Sequence, residues 1–236
     1  MFSWDPSGLS GIPREVIEHK LAIKENARPI QQRIRPQSNI KHEFILAEVN
    51  RLLKAGVIRE VLLAAWLANP VVVPKPHSTD MRLCIDFTDL NKACPKDPYP
   101  LPRVDQIVDS TTGCNLLCFL YAFSGYHQIK MAKEDEEKTA FITQNGCYCY
   151  ISMSFGLKNA GATFHHAMRT CLGSQVGTNA EAYIDDIVVK SRKRETLISD
   201  LEETFNNLRK INLKLNPAKC VFGVPSGKLL GFLVSH

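Results

Sequence analysis

Two adjacent carboxylates, Asp185 and Asp186, close the run Tyr183-Ile-Asp-Asp186, and Ile187-Val188-Val189 follows directly. Apolar residues on both sides of an acidic pair read as two strands joined by a tight turn, because Asp tolerates turn geometry. Such a turn lifts both carboxylates to the rim of a sheet while its flanks stay buried. Clustered hard oxygens suit Mg²⁺. Transfer of a phosphoryl or nucleotidyl group uses such an ion to stabilise the attacking and leaving oxygens. Taken alone, the pair is more simply an ordinary acidic turn, or the acidic pocket of some other phosphate-handling enzyme.

The elements that must position this pair follow from periodicity and punctuation. His42 to Ala55 has a helical pattern, with Ile45, Val49, Leu52 and Leu53 on one face and Gly56 placed to end it. Asn69-Pro-Val-Val-Val-Pro74 and Met81 to Phe87 read as the arms of a hairpin with a polar tip at 75–80. Residues 94–102 hold four prolines, which no regular element survives, so this segment is a candidate subdomain boundary. Leu116 to Phe123 is a nearly unbroken apolar run, as in a fully buried strand, and Cys147 to Met153 is another strand. Ala160 to Leu172 predicts a helix with Phe164, Ala167, Met168 and Cys171 inward. Glu195 to Lys210 predicts a second, with Leu197, Leu201, Phe205 and Leu208 on one stripe. Two strands are expected near Leu213–Leu215 and Lys228–Val234. Strands and helices mix without strict alternation, which argues for an α+β fold around an antiparallel sheet.

Composition narrows the class. The chain has 236 residues, 44% hydrophobic and 22% charged, an ordinary globular balance. No apolar run approaches the length of a membrane span, and the N-terminus lacks the pattern of a secretory signal. An intracellular location, cytoplasmic or nuclear, is expected, with no membrane partner. Eight cysteines contain no Cys-x-x-Cys pair, so buried thiols are expected rather than disulfides or a zinc site. Lys and Arg number 29 against 24 Asp and Glu, a net +5 that permits a polyanionic partner without requiring one. The dense run Lys190-Ser-Arg-Lys-Arg194 is either a solvated turn or a phosphate contact.

Several further motifs occur in a fixed order. They are Phe87-Thr-Asp-Leu-Asn-Lys92, Leu101-Pro-Arg-Val-Asp105, Phe123-Ser-Gly-Tyr-His-Gln-Ile129, Lys138-Thr-Ala-Phe141, Phe155-Gly-Leu-Lys-Asn-Ala160, the acidic pair, and Leu230-Gly-Phe-Leu-Val-Ser235. Together with Gly11-Ile-Pro-Arg-Glu-Val-Ile-Glu-His-Lys20 they resemble the reverse transcriptase of gypsy-type long-terminal-repeat retrotransposons, most like plant copies. Each piece is only moderately specific, whereas the ordered set is highly so. The resemblance implies palm and fingers of a reverse transcriptase, an antiparallel palm sheet packed on helices. It implies fingers at about 39–94 and 130–154 and palm at about 95–129 and 155–236, after a leader or linker at 1–38.

The same resemblance implies roles. Asp185 and Asp186 would be catalytic metal ligands for Mg²⁺ or Mn²⁺. Lys75 and Arg82 would grip the triphosphate of a deoxynucleotide, a task suited to cations on a polar-tipped hairpin. Tyr126 would pack against the deoxyribose, and Phe155 and Gly156, with Leu157, would line the nucleotide pocket. Gln128 and Lys158 are template or nucleotide contacts by the same logic, and Leu230 and Gly231 belong to a hairpin holding the primer end. Each has a plainer reading: a solvated hairpin, a half-buried tyrosine, a loop anchor, a surface polar residue, a core strand.

One position departs. The family strand reads Phe-Leu-Asp-Ala-Phe-Ser-Gly-Tyr; here it reads Phe119-Leu-Tyr-Ala-Phe-Ser-Gly-Tyr126. The missing Asp is a ligand of both metals in that family. The phenol of Tyr121, with an ordinary pKa of about 10, is neutral at working pH. Two divalent ions roughly 4 Å apart repel strongly without bridging carboxylates. No Asp or Glu occurs between Asp109 and Glu134 to replace the lost one. Ser154 stands for a usual proline, Ala64-Ala65 for Pro-Glu, and His165-His166 for Gln-Arg. Neighbours on a helix diverge by ~100°, so the two histidines are not expected to share one ion. The chain stops at His236, so the thumb is expected to be absent or incomplete and the chain a truncated, degenerate piece of a Pol polyprotein. The expected function is an RNA-directed DNA polymerase domain using primer–template and deoxynucleotides, inactive in this copy. The alternative is a non-catalytic nucleic-acid-binding remnant or a translated pseudogene product.

Overall fold

The computed structural model describes residues 1–5, 9–75 and 80–235. The chain divides into two compact units, one of Met1–Ile17, Pro98–Ile129 and Gly161–His236, the other of Glu18–Asp97 and Lys130–Ala160. One of the four boundaries between them, at Asp97–Pro98, falls inside the four-proline segment, where missing N–H groups and fixed φ leave no regular element.

The first unit is built on a four-stranded antiparallel sheet in the order Val221–Val224, Leu116–Tyr121, Asp186–Ser191, Ala180–Tyr183. The apolar run forms the inner strand as expected, with Leu117, Cys118 and Leu120 buried. It ends at Tyr121 rather than Phe123. The Ala122 amide leaves the ladder to donate to the Asp185 carbonyl, and the Phe123 amide donates to Lys214. Ser124 then takes a left-handed φ of 48°. Helix Ala160–Leu172 buries Phe164, Ala167, Met168 and Leu172, with Cys171 half-buried. Phe164 is fully buried against the Tyr126 ring, its centroid 5.9 Å away, and its burial contributes on the order of 2–3 kcal/mol. The second helix starts later than its pattern suggests: Arg194–Thr196 is a 3₁₀ turn, and Leu197–Lys210 is the α-helix.

Two expectations near the C-terminal end need correction. Leu213–Leu215 is not a regular strand; Leu215 makes single bridges to Phe2 and Ala122. The run Lys228–Val234 is not one strand but a hairpin, Ser226–Leu229 paired with Phe232–Ser235. Its loop is Leu230-Gly231, with φ of 52° and 91°. Two successive left-handed residues match the right-handed twist of the arms, which is why the chain reverses there. This hairpin closes over a core of Ile107, Cys114, Leu117, Val188, Leu229 and Val234.

The second unit holds helix Asn39–Lys54, which buries Ile45, Val49 and Leu52 and ends at Gly56, φ +63°, whose amide meets the Leu53 carbonyl 2.9 Å away. The hairpin is present as Pro70–Pro74 against Met81–Ile85; its tip at 76–79 lies outside the described residues. The strand expected at Cys147 to Met153 is Gly146–Tyr150, the middle of a three-stranded sheet with Ile58–Glu60 and Phe141–Thr143. Little of 9–38 is regular, yet it is packed. Ile12 is buried in the first unit and donates its amide to Gln128. In the second, Leu21 is buried, its amide on the Asp135 carboxylate at 2.8 Å.

Lys190 does not belong to a solvated basic turn. It is buried in strand Asp186–Ser191, its ammonium 2.9 Å from Glu181 on the neighbouring strand, and only Arg192–Arg194 are exposed. Removing one partner of such a pair leaves an uncompensated charge. Glu181→Ala is therefore expected to lower the unfolding free energy by about 3 kcal/mol or more, and Glu181→Gln by less, as read from urea unfolding curves.

Candidate active site at the acidic hairpin

Tyr183 pairs directly with Asp186, so Ile184 and Asp185 alone form the loop between the two strands. The left-handed residue is Ile184, φ 50°, not an aspartate. A β-branched side chain in that region costs about 1–2 kcal/mol. Asp185 is free to point inward because its carbonyl is held by the Ala122 amide at 2.8 Å. Its Oδ1 is buried without a hydrogen-bond partner among the described residues. Gly125 lies against that oxygen: a Cβ there would fall inside contact distance of Asp185 Oδ1 and 2.9 Å from the Phe164 ring. Only glycine fits.

Asp186 is in the strand itself and stands directly opposite Tyr121. Paired residues in an antiparallel ladder project to the same face, with Cβ atoms about 5 Å apart. The phenol ring therefore flanks the carboxylate. Burial, then the neighbouring Asp186, push the Asp185 carboxyl up to about 6; Lys219 opposes this. Burial also raises Asp186, again against Lys219. The Lys219 ammonium lies 4.1 Å from the centre of the Tyr121 ring. A cavity of about 190 Å³ opens here, lined by Phe119, Tyr121, Asp186, Lys219, Lys228 and Leu229.

The first unit brings Tyr126 to the same edge. It is buried, and burial followed by the Asp185 charge pushes its phenol up to about 12. Gln128 is a different case. It is fully buried, its amide nitrogen donating to the carbonyls of Phe123 and Lys214 at 2.7 and 2.9 Å and its oxygen accepting from the Lys214 amide at 2.7 Å. Every polar atom is spent as an internal brace, so the expected template contact is corrected to a structural one. Leu230 and Gly231 form the hairpin loop already described. His165 is buried and His166 exposed, and their rings meet Tyr99 at 5.8 and 5.4 Å.

In the second unit, Lys75 is exposed and reaches Asp80 at 3.4 Å. Arg82 is exposed on strand Met81–Ile85, opposite Val73. Phe155 is exposed, and Gly156 has φ +89°, its carbonyl taking the Asn91 amide at 2.7 Å. Lys158 spends its ammonium on the carbonyls of Asn91 and Cys94, at 3.2 and 2.7 Å, so it anchors its loop. Sequence reasoning missed Lys219 and the role of Gly125. No spacing rule links Lys219 to Tyr121; only the strand pairing does.

A family model described as reverse transcriptase (RNA-dependent DNA polymerase) matches residues 73–234. The chain belongs to the reverse transcriptase family. It is 32% identical over 232 residues to the Transposon Tf2-3 polyprotein of Schizosaccharomyces pombe, covering 98% of this chain and 17% of that protein. It is 32% identical over 222 residues to the retrovirus-related Pol polyprotein from transposon 297 of Drosophila melanogaster, covering 93% of this chain and 21% of that protein. The reverse transcriptase chain thus spans about a fifth of these relatives. Foamy viral protease-reverse transcriptase in complex with RNA/DNA hybrid shares its fold, with a TM-score of 0.86 at 20% identity over 98% of this chain and 31% of that one. The dRH form in complex with double-stranded DNA gives 0.81 at 20%, over 96% and 39%. No helix among the described residues is long and apolar enough to cross a membrane.

Reverse transcriptases use divalent cations. The orphaned Oδ1 of Asp185 and the carboxylate of Asp186 offer hard oxygens to one ion. They do not fit two: the position opposite Asp186 holds a neutral ring with an ammonium over it, and no group of three or more His, Cys, Asp or Glu side chains among the described residues could hold a metal.

Two outcomes follow from this geometry. Gly125→Ala is expected to destabilise the chain by about 1–3 kcal/mol in denaturant titrations, since the Asp185 carboxylate and the Phe164 ring must both yield. The second concerns pH. Asp185 titrates near 6 when folded and near 3.8 when unfolded, so between these values the native state holds a proton that the unfolded chain has released. That stabilising contribution is complete below about pH 4 and is lost as pH rises to about 6. Asp185→Asn cannot ionise. Its stability relative to wild type should therefore climb across this window and level off above it, measured in chelator-treated buffer; a flat difference would contradict the buried carboxyl.

Proposed function

We propose that the chain is the reverse transcriptase domain of a gypsy-type retrotransposon Pol polyprotein, most like plant copies, and that Tyr121 leaves it without nucleotidyl-transfer activity. The observation that carries the second half is the register pairing Tyr121 with Asp186. A carboxylate at this point would face Asp186 across the ladder; a phenol places a neutral, bulky ring there instead. In this reading the fingers, at about 39–94 and 130–154, fall within the unit of Glu18–Asp97 and Lys130–Ala160, and the acidic hairpin belongs to the palm, at about 95–129 and 155–236. The family's work is templated DNA synthesis on RNA with deoxynucleoside triphosphates. Lys75, Arg82, Tyr126, Phe155 and Gly156 would meet the nucleotide, Leu230 and Gly231 the primer. An intracellular location, cytoplasmic or nuclear, goes with that role.

A second reading, nucleic-acid binding without chemistry, is favoured by one feature. The Leu230-Gly231 hairpin loop and the exposed cations Arg82 and Arg192–Arg194 are present whatever stands at 121. The foamy viral enzymes were solved with an RNA/DNA hybrid and with double-stranded DNA, which makes these the duplexes to test. Binding that weakens steeply with salt would support it.

Primer extension on an RNA template, in Mg²⁺ and in Mn²⁺, tests the assignment of Tyr121 as disabling. Wild type is expected to yield no extended primer and Tyr121→Asp to yield some. Extension by wild type would overturn the assignment of Tyr121 as disabling.

A further inference from the structure

We infer that Lys219 is the resident counter-cation of the Asp185–Asp186 pair, held in place through the backbone of Tyr121, and that it competes with a divalent ion for those carboxylates. The inference rests on reading this hairpin as the cation-binding edge.

The geometry begins with residue 121 itself. Its carbonyl accepts the Asn216 amide at 2.8 Å, and its amide donates to Cys220 Sγ at 3.4 Å. These two contacts bracket Lys219 in sequence. The intervening turn is rigid: Asn216 Oδ1 accepts the Ala218 amide at 3.0 Å, and the Lys219 amide closes onto the Asn216 carbonyl at 3.2 Å. The two segments are therefore held together through the main chain of residue 121, on the Asn216 amide and the Cys220 thiol, whichever side chain stands at 121. The ammonium lies over that side chain, 4.1 Å from the ring centre.

The charge balance then follows. A carboxylate at 121 would share the ammonium with Asp185 and Asp186. A neutral ring offers only its quadrupole. The formal charge of Lys219 is left facing the hairpin, since the ring beneath it stands directly opposite Asp186. Asp186 and Lys219 line the same cavity. A divalent ion approaching Asp185 Oδ1 meets a fixed positive charge, without the third carboxylate that would outweigh it. Lys219 is thus a positioning residue: it orders the acidic pair electrostatically and touches no reacting atom.

Mn²⁺ binding, followed by electron paramagnetic resonance at low salt, tests this with no catalysis required. Lys219→Met is expected to bind Mn²⁺ about tenfold tighter than wild type, since removing one unit charge a few ångströms away is worth about 1.4 kcal/mol against a dication. Lys219→Arg should behave as wild type, and adding Asp185→Asn to Lys219→Met should abolish the gain. Thermal unfolding keeps the idea falsifiable if Lys219→Met folds poorly: its melting temperature should drop in chelator and recover with Mn²⁺, or with Asp186→Asn. Equal Mn²⁺ affinity in wild type and Lys219→Met, while Tyr121→Asp binds through Asp185, would overturn the competition and leave the cation-binding edge standing. Failure of every variant to bind, Tyr121→Asp included, would overturn both.

Discussion

The ladder pairing that sets Asp186 against Tyr121 organises the acidic edge of the sheet. Because side chains alternate along a strand, this one register decides which residue faces the carboxylate, and a slip by one position would turn Tyr121 to the opposite face. The neighbouring contacts are consequences. With Asp186 paired to Tyr183 on its other side, only Ile184 and Asp185 remain for the loop, and the strain falls on Ile184. The Asp185 carbonyl then meets Ala122, which ends the inner strand and starts the turn through Ser124 to Gly125. Gly125 in turn leaves the space that the Asp185 carboxylate fills.

Burial and charge oppose each other at this edge. The hairpin holds two carboxylates side by side and removes one oxygen from solvent, an arrangement that raises the proton affinity of Asp185. Two cations could relieve it, an external divalent ion or the lysine from residue 219. In a reverse transcriptase with an acidic residue at 121 the negative charge exceeds what one ammonium neutralises, and an ion is drawn in. With tyrosine there, the excess is smaller by one charge. A substitution that is conservative for the strand, since tyrosine suits a β-ladder, thus shifts the electrostatics of the whole edge.

The fold survives the substitution because it rests elsewhere. Phe164, Met168 and Leu172 of one helix are buried, as are Leu197 and Leu208 of another, which lies against strand Asp186–Ser191, and the Ser226–Ser235 hairpin closes over Leu117 and Val188. None of these contacts requires a charge at 121. Gln128 and Lys158 show the converse lesson. Each is a polar residue in a motif shared with a catalytic family, and each spends its hydrogen bonds on nearby carbonyls, Gln128 inside the core and Lys158 on its own loop. Motif membership identifies a position, whereas satisfied donors and acceptors decide what the side chain can still reach.

Local chemistry made several features legible in the sequence alone. The helices read over 42–55, observed at 39–54, and over 160–172 followed from apolar periodicity, because that pattern reports a buried stripe without knowledge of what covers it. The hairpin arms, read over 69–74 and 81–87, and the buried strand, read over 116–123, followed from β-branched and apolar runs between breakers, and the structure trims them to 70–74, 81–85 and 116–121. The acidic pair and the odd residue at 121 were visible as residue types in a known order. Tertiary structure decided the rest, since it depends on contacts between distant segments. It split 226–235 into a hairpin, left 213–215 as bridges, buried Lys190 against Glu181, and spent Gln128 internally. It also put Lys219 over Tyr121, because two main-chain contacts of residue 121 reach across to 216 and 220. A sequence shows which charges exist; only the register of the strands shows which of them must share a space.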